Sequence, residues 1–454
     1  MKTWVIMKNS KTKWCIRLLM IVLPALSILN LQEAHADSES DEIVAVDLLT
    51  VREPRSQAES RLRVIRLTTR SGTQGYGDYI AFGLPAEEEE ETLARLVNRY
   101  DEQNHKKNIF LTDPSMRAVG VGHTVMGQTA EQLLHAPPVT GLGANALFPR
   151  EGFGPMWQGP GKAGLVIALQ TALLDLTKDS GPCRVRLCPS ISIDREVNGK
   201  RRLKTPDEMQ QTVTSLKQAG FTAVRLELAG ALEDEMTARG QCAPYRYPQE
   251  VLSRIDSLVL ASKKAAGTEM DLVVAANMNL STDGMTFLAL HCERNKVTLL
   301  ENPMAFRHQR EQCEARKEFN QSLGFGGDYH VIEDFVQGIK NPAGTVLVPD
   351  AGRMGGVTML ARTVALAKEA KLKVAPVVQG GPLSLLAVAR SLSGREEVLW
   401  VASPNQQQWL KDDGVLKKPL RVAEGSLIAD SYEIDETKFQ VKRIAQLETK
   451  TKEK

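Results

Sequence analysis

The stretch Asp271–Pro303, DLVVAANMNLSTDGMTFLALHCERNKVTLLENP, decides the fold that the sequence predicts. It begins with an apolar run of strand length, Leu272–Ala276, and closes with a second such run, Val297–Leu300. Apolar residues recur at helical spacing between the two runs: Met285, Leu288 and Ala289. The pattern of strand, helix and strand predicts one βαβ unit with parallel strands.

Polar residues stand where each of these two strands ends. Asn277 follows the first run, and Glu301 follows the second. In a parallel barrel the carboxyl ends of the strands carry the chemistry. The sequence therefore places candidate functional residues at this edge.

The βαβ unit is one part of a longer series of strand-like runs with helical patterns between them. A chain of 454 residues has room for two or three average domains, or for one barrel with an attached domain. Eight such units favour a (β/α) barrel. The runs are Val185–Ile193, Ala223–Leu228, Leu272–Asn277, Val297–Glu301, Gly324–Asp328, Thr345–Asp350, Leu372–Val378 and Val398–Ala402.

The N-terminus has the features of a secretory signal. Five cations precede an apolar segment, Leu18–Leu31, and Ala34-His35-Ala36 fits an A-x-A cleavage site. At 14 residues the segment is short for a membrane span, although an uncleaved anchor remains the alternative. We expect an exported protein, periplasmic or secreted, that begins at Asp37 and has no membrane segment after cleavage.

Charge excludes one class of partner. The whole chain carries +2 and residues 1–36 carry +4, which leaves −2 for the mature chain. Nucleic-acid binding requires a basic surface, so the balance indicates no nucleic-acid partner. The sequence leaves a homo-oligomer open.

Segments on both sides of the barrel pattern read as a second, antiparallel unit. Ile43–Leu49 and Arg61–Arg70 alternate like strands. The Gly- and Pro-rich stretch 101–161 is too long for an ordinary connection, so it is either a functional lid or a surface wrap. Near the C-terminus, Leu427–Ile434 and Phe439–Ile444 alternate again.

Several of these motifs resemble the enolase superfamily, in its mandelate racemase/muconate lactonizing branch. "AAN…LLENP" resembles the family's "DAN…EEP" pair, and Lys162–Lys178 resembles the helix that introduces its barrel. The most specific match is VLVPDAGRMGGVT, Val346–Thr358, which resembles the family's sixth-strand motif. TTRSGTQGYGD is similar to the family's capping strand pair, with Asp78 where a Glu is usual.

The resemblance implies an α/β fold, a modified TIM-type (β/α) barrel with an α+β capping domain. The cap would be built from the N-terminal region and the C-terminal segment. The expected divisions are a signal peptide at 1–36, the N-terminal capping domain at 37–161, the barrel at 162–412, and a C-terminal segment at 413–454 that returns to the cap.

The resemblance also implies a magnesium site. In the family, the Asp of the first motif and the first Glu of the second bind Mg²⁺, and a third carboxylate ends the fifth strand. Glu301 matches the second ligand and Asp328 the third, whereas Ala275 stands where the first should be. Asn277, or a chelating substrate, would complete the oxygen ligands that Mg²⁺ requires.

Four residues are the catalytic candidates. Arg225 and Glu227 occupy the family's "KxK" positions at the end of the second strand. Arg225 suits a substrate carboxylate, and a structural pair with Glu227 is the alternative. Asp350 stands where the family's Asp partners a catalytic His, and Arg353 follows it. Val377 takes the place of that His.

The resemblance implies an enzyme of the racemase or dehydratase kind. Such an enzyme abstracts the proton alpha to the carboxylate of a hydroxy- or sugar acid and stabilises the enediolate with Mg²⁺. Arg225 would bind the small-molecule carboxylate, and Asp350 or Glu227 would handle protons. The alternative is a non-catalytic relative that binds an acid ligand or a protein, which Ala275, Glu227 and Val377 favour.

Five cysteines remain after the signal: Cys183, Cys188, Cys242, Cys292 and Cys313. An exported protein permits disulfides, and Cys183 and Cys188 are close enough in sequence to bridge. No Cys/His spacing in the chain indicates a zinc site.

Overall fold

A computed structural model describes most of the barrel and the core of the cap. The described residues are 41–54, 61–80, 89–90, 93–94, 125, 129–131, 160–177, 183–228, 230–240, 243–329, 332–354, 356–403, 415–429 and 432–447. The predicted signal and most of the stretch 101–161 lie outside them. Both therefore stay predictions.

The described strands and helices alternate through the barrel region. The strands are β1 (Ile43–Val51), β2 (Leu62–Thr69), β3 (Gln74–Ile80), β4 (Cys183–Ser192), β5 (Asp194–Val197), β6 (Lys200–Leu203), β7 (Ala223–Glu227), β8 (Asp271–Ala275), β9 (Leu299–Glu301), β10 (Leu323–Phe325), β11 (Val346–Leu347), β12 (Lys373–Val374), β13 (Val401–Ser403), β14 (Arg421–Ala423), β15 (Ser426–Ala429) and β16 (Phe439–Gln446). The helices are α1 (Pro160–Leu176), α2 (Pro206–Gln218), α3 (Ala231–Ala238), α4 (Gln249–Ala266), α5 (Thr282–Arg294), α6 (Gln309–Ala315), α7 (Ile332–Lys340), α8 (Val357–Glu369) and α9 (Pro382–Leu392). In the part of the chain that the structure describes, no helix has the length and apolar character needed to cross a bilayer.

Eight strands close into a parallel barrel. From β4 the ring runs through β7, β8, β9, β10, β11 and β12, and β13 then pairs with β4 in parallel. Parallel bridges Val374–Val398 and Val377–Ala402 join the β12 segment to the β13 segment. The predicted fold class is confirmed, and each of the eight predicted runs overlaps one barrel strand.

Side-chain alternation along the strands separates two layers of core. Inward-facing residues fill the barrel interior with a cluster that is almost entirely apolar: Cys188, Ala223, Val273, Leu299, Val346, Val348, Ala375, Val377, Trp400 and Ala402. Outward-facing residues such as Leu226, Val274 and Leu300 belong to the larger core beneath the helices. The interior is therefore a packed core, and the inward-facing charged residues lie toward the strand ends.

Local sequence signals explain the regular βα units. Thr205 caps α2 in a capping box with Glu208, and Pro206 occupies the first turn, as the sequence predicts. Gly220 then adopts a φ of +88°, which turns the chain toward β7. Helix α2 buries Met209, Val213 and Leu216 against the barrel.

The cap is a four-stranded antiparallel sheet in the order β16-β1-β2-β3, with α1 packed on β3. Two glycines permit this close packing. A Cβ at Gly77 would lie 1.9 Å from the Ala168 carbonyl oxygen, and one at Gly75 would lie 2.3 Å from that of Ala172. These contacts explain the QGYGD motif as a helix-packing surface.

Among the described strands of the C-terminal segment, only β16 joins the cap, where it pairs with β1. The predicted strand Leu427–Ile434 begins in β15, which forms a hairpin with β14. Strand β15 pairs antiparallel with β4, matching Leu427 with Val185. The reason is that β7 and β13 pair with the carboxyl half of β4 and leave backbone groups of Cys183–Arg186 for another partner.

The bridge between Cys183 and Cys188 that the sequence left open is not present. Both cysteines lie on the single extended strand β4. Five residues of strand separate Cα atoms by roughly 17 Å, whereas a disulfide needs about 4–7 Å. Neither cysteine takes part in a disulfide.

Candidate functional site

Three strand-end residues form one row across β7, β8 and β9. Glu227 lies in register with Ala275, and Ala275 lies in register with Glu301. Residues in register on neighbouring parallel strands face the same side. The small methyl group of Ala275 therefore lies between two carboxylates at the carboxyl-end opening of the barrel, here called the barrel mouth.

Arg225 reaches into this row from one layer below. It lies two residues before Glu227 and so faces the same inner side. Its Nε donates to both oxygens of Glu301 at 2.9 and 3.0 Å, and its Nη2 donates to Glu301 Oε1 at 2.6 Å. Its Nη1 donates to Ser190 Oγ at 3.2 Å and to a Glu227 oxygen. One guanidinium thus bridges both carboxylates.

Arg225, which the sequence offered for binding a substrate carboxylate, contacts carboxylates of the protein itself in the structure. Arg225 is only 5% exposed and Glu301 is fully buried, so the guanidinium is committed to protein partners. The structural pair with Glu227 is present, and Glu301 extends it. Burial lowers the pKa of Arg225, but the charges of Glu301 and Glu227 outweigh burial and raise it. The cation is permanent.

Asp350 and Arg353 form a second charged pair after β11. Asp350 is 3% exposed, and its Oδ1 accepts from the backbone N–H groups of Gly352 at 2.9 Å and Arg353 at 3.3 Å. The Arg353 Nε lies 3.4 Å from Asp350 Oδ2 and has no hydrogen-bond partner among the described residues. The side chain of Arg353 is 29% exposed, so part of it faces solvent.

The Asp350 carboxyl retains its proton more readily than an ordinary aspartate. Burial raises its pKa, and this effect exceeds the opposing effects of the Arg353 charge and the two backbone N–H groups. The charge of Arg225 also lowers the pKa of Asp350. The two charged groups are therefore close enough to interact electrostatically.

An apolar wall adjoins Asp350. Val377 forms a parallel β-bridge with Asp350 on one side and with Ala402 on the other. The prediction from the resemblance was that Val377 replaces a histidine beside this aspartate. The structure places Val377 in that position, so no dyad forms there.

The remaining predicted metal ligands are engaged elsewhere or lie at the rim. Asp328 Oδ2 accepts from the Phe306 backbone N–H at 2.6 Å. Asn277 is half-buried in a left-handed turn with a φ of +51°. Sequence reasoning missed Asn302, which is buried beside Glu301 and accepts from the Gly327 N–H at 3.1 Å. Its position in ENP, next to Glu301, was the available signal.

The residues present do not fit a magnesium site. Mg²⁺ requires near-octahedral oxygen coordination. Ala275 supplies no oxygen, and the oxygens of Glu301 accept from Arg225. Within the described ranges, no group of three or more acidic, histidine or cysteine side chains is placed to hold a metal ion. The predicted set Glu301, Asp328 and Asn277 thus lacks the geometry of a built site.

Comparisons with known proteins agree with this architecture. The family described as enolase C-terminal domain-like matches residues 208–432. No curated protein sequence matches the chain. A mandelate racemase/muconate lactonizing enzyme from Jannaschia sp. CCS1 superposes with a TM-score of 0.64 at 16% identity, covering 88% of this chain and 95% of its own.

Two further solved structures have the same fold. One, described provisionally as a dehydratase from Zymomonas mobilis ZM4, has a TM-score of 0.65 at 16% identity, covering 89% of this chain and 100% of its own. The other, described provisionally as a racemase from Roseobacter denitrificans, has a TM-score of 0.64 at 18% identity, with the same coverage. At such identities the likeness establishes the fold alone.

Proposed function

The barrel of this chain belongs to the enolase superfamily, in its mandelate racemase/muconate lactonizing branch, and we propose that it moves the proton alpha to the carboxylate of a small hydroxy- or sugar acid. Relatives described as a racemase and a dehydratase support this reaction class. Fold likeness alone does not establish an activity, so the proposal depends on the residues at the barrel mouth.

The observation that carries the proposal is a pair of carboxyl groups on opposite walls. Glu227 ends β7 and Asp350 follows β11, and these strands are four places apart in a ring of eight. A substrate between them would meet one carboxyl group on each face. That arrangement suits removal of a proton at one face and its delivery at the other.

Arg353 is the candidate for substrate binding, in place of Arg225. Its side chain is 29% exposed, and its buried Nε lacks a hydrogen-bond partner in the described part of the chain. A planar guanidinium binds a carboxylate through two parallel hydrogen bonds. Bound there, the acid would place its alpha carbon near Asp350.

The proposed reaction moves two protons, one at each carboxyl group, and one electron pair. Glu227 takes the alpha proton, and the electrons of the broken C–H bond pass into the substrate carboxylate, which becomes an enediolate beside Arg353. Asp350, whose pKa burial raises, then gives its proton. Protonation at carbon completes a racemisation, whereas protonation of a beta hydroxyl releases water and completes a dehydration.

Deuterium exchange tests this proposal. Wild-type protein in D₂O should exchange the alpha proton of at least one member of a panel of hydroxy and sugar acids, followed by NMR. Glu227→Gln should lower that exchange rate by about 10²–10⁴-fold, the usual contribution of a positioned acid or base. Asp256→Asn is the carboxyl-to-amide control, because Asp256 lies on α4 and contacts His291 outside the barrel interior. No exchange by wild type, or equal exchange by Glu227→Gln, contradicts the proposal.

A non-catalytic acid-binding protein is the second candidate. The apolar pair Val377 and Ala402 beside Asp350 favours it, because no histidine assists proton transfer there. The same panel separates the two candidates. Calorimetric binding of an acid without any deuterium exchange, weakened in Arg353→Met, is the result expected of the binding protein.

We also propose that the protein is exported. The basic and apolar segments followed by Ala34-His35-Ala36 support cleavage before Asp37. N-terminal sequencing of native material should read Asp37 first. Protein that still carries residues 1–36 would contradict cleavage.

A further inference from the structure

At the barrel mouth, Ala275 lacks a charge and Arg225 supplies a positive one. Ala275 occupies the centre of the row Glu227–Ala275–Glu301 and brings no charge. Arg225 places one guanidinium against both ends of the row, on Glu301 through three hydrogen bonds and on Glu227 through a fourth. Two carboxylates and one cation therefore share the barrel mouth between β7 and β9.

Glu301 requires a cation at this place. Its side chain is fully buried, and an isolated ionised carboxylate is strongly disfavoured away from water. The guanidinium of Arg225 donates to both oxygens of Glu301, and its Nη1 also donates to Ser190 Oγ. Because a guanidinium keeps its proton in proteins, the compensating charge is present under all ordinary conditions.

A carboxylate at position 275 would change this balance. It would stand in register between Glu227 and Glu301 and would add a third negative charge for one guanidinium. Like charges at such spacing repel each other and favour protonation or the binding of a further cation. With alanine at position 275, the row holds only the carboxylates of Glu227 and Glu301, and Arg225 contacts both.

From these contacts we infer that Arg225 is a built-in cation that holds the place of a divalent metal at the barrel mouth, so that the site keeps its shape without Mg²⁺. The inference does not depend on the proposed proton chemistry. It concerns the free protein, with no acid bound.

Calorimetry and thermal unfolding with MgCl₂ and MnCl₂, in the absence of any acid, test the inference. Wild-type protein should show no binding heat and no shift in melting temperature at millimolar metal. Arg225→Ser/Ala275→Asp removes the guanidinium and supplies the missing oxygen ligand, so it should gain both signals. Adding Glu301→Gln to that variant should remove them again.

Two single variants, Ala275→Asp and Glu301→Gln, test the inference even where the double variant folds poorly. Ala275→Asp with Arg225 retained should melt below wild type and should not bind metal, because Arg225 still covers Glu301. Metal binding by wild type that Glu301→Gln abolishes would overturn the inference. So would an Ala275→Asp protein that binds Mg²⁺ and melts at a higher temperature when Mg²⁺ is added.

Discussion

Arg225→Met is expected to lower the free energy of unfolding by about 3–5 kcal/mol, the usual effect of removing one partner of a buried ion pair. The variant leaves Glu301 without the three hydrogen bonds that it now accepts, in a place that water does not reach. Urea-induced unfolding at neutral pH measures the loss.

A double variant identifies the cause of that loss. Arg225→Met/Glu301→Met removes the uncompensated charge together with its partner, so most of the lost stability should return. Arg239→Met is the surface control, because Arg239 pairs with Glu235 and Glu250 in contact with solvent, where ion pairs contribute little to stability. A double variant as unstable as Arg225→Met would contradict the electrostatic explanation.

Asp78→Ala is expected to cost on the order of 3 kcal/mol, because it removes the acceptor of three buried N–H groups. Asp78 lies in β3 of the cap but accepts from the barrel. Its Oδ1 accepts from the Gly381 and Ser384 N–H groups at 3.1 and 2.9 Å, and its Oδ2 from the Leu383 N–H at 2.7 Å. These N–H groups belong to the first turn of α9, so one carboxyl joins the cap to the barrel.

Thermal unfolding at pH 5 compares this variant with a control. Asp41→Ala removes a carboxylate that binds Ser71 in an exposed turn, and it should change stability by less than about 1 kcal/mol. Equal losses of stability in the two variants would show that the hydrogen bonds of Asp78 between cap and barrel stabilise the protein no more than an exposed turn does.

The same residue predicts a pH dependence with a defined sign. Burial raises the pKa of Asp78 to about 6 from an ordinary value of 3.8, although the N–H groups of Leu383, Ser384 and Gly381 lower it. The folded protein therefore binds this proton more tightly than the unfolded chain. The stability that Asp78 contributes is complete below pH 3.8 and is lost as the pH rises through about 6.

Wild type and Asp78→Asn measured by urea unfolding at several pH values isolate this contribution. The stability of wild type relative to the variant should fall by on the order of 3 kcal/mol between pH 4 and pH 6.5. A rise over the same range would mean that the N–H groups at the start of α9 outweigh burial.

The sequence by itself determined the elements and the order in which they follow each other. Apolar runs of strand length, the capping box of Thr205 and the helix end at Gly220 are local signals, and they act over a few residues. The same runs also assigned Glu227, Glu301 and Asp350 to strand ends. The resemblance to the family, in turn, implied that Val377 takes the place of the histidine that would partner Asp350.

Tertiary structure alone decided which of these residues meet. Arg225 and Glu301 are 76 residues apart in sequence, and Gly381 lies 303 residues beyond Asp78. Strand register and barrel closure bring them together, and no local pattern encodes either. The sequence therefore supplied a list of charges at the strand ends. The fold determined that Arg225 compensates Glu301, because a buried carboxylate must take the nearest permanent cation that the closed barrel brings within reach.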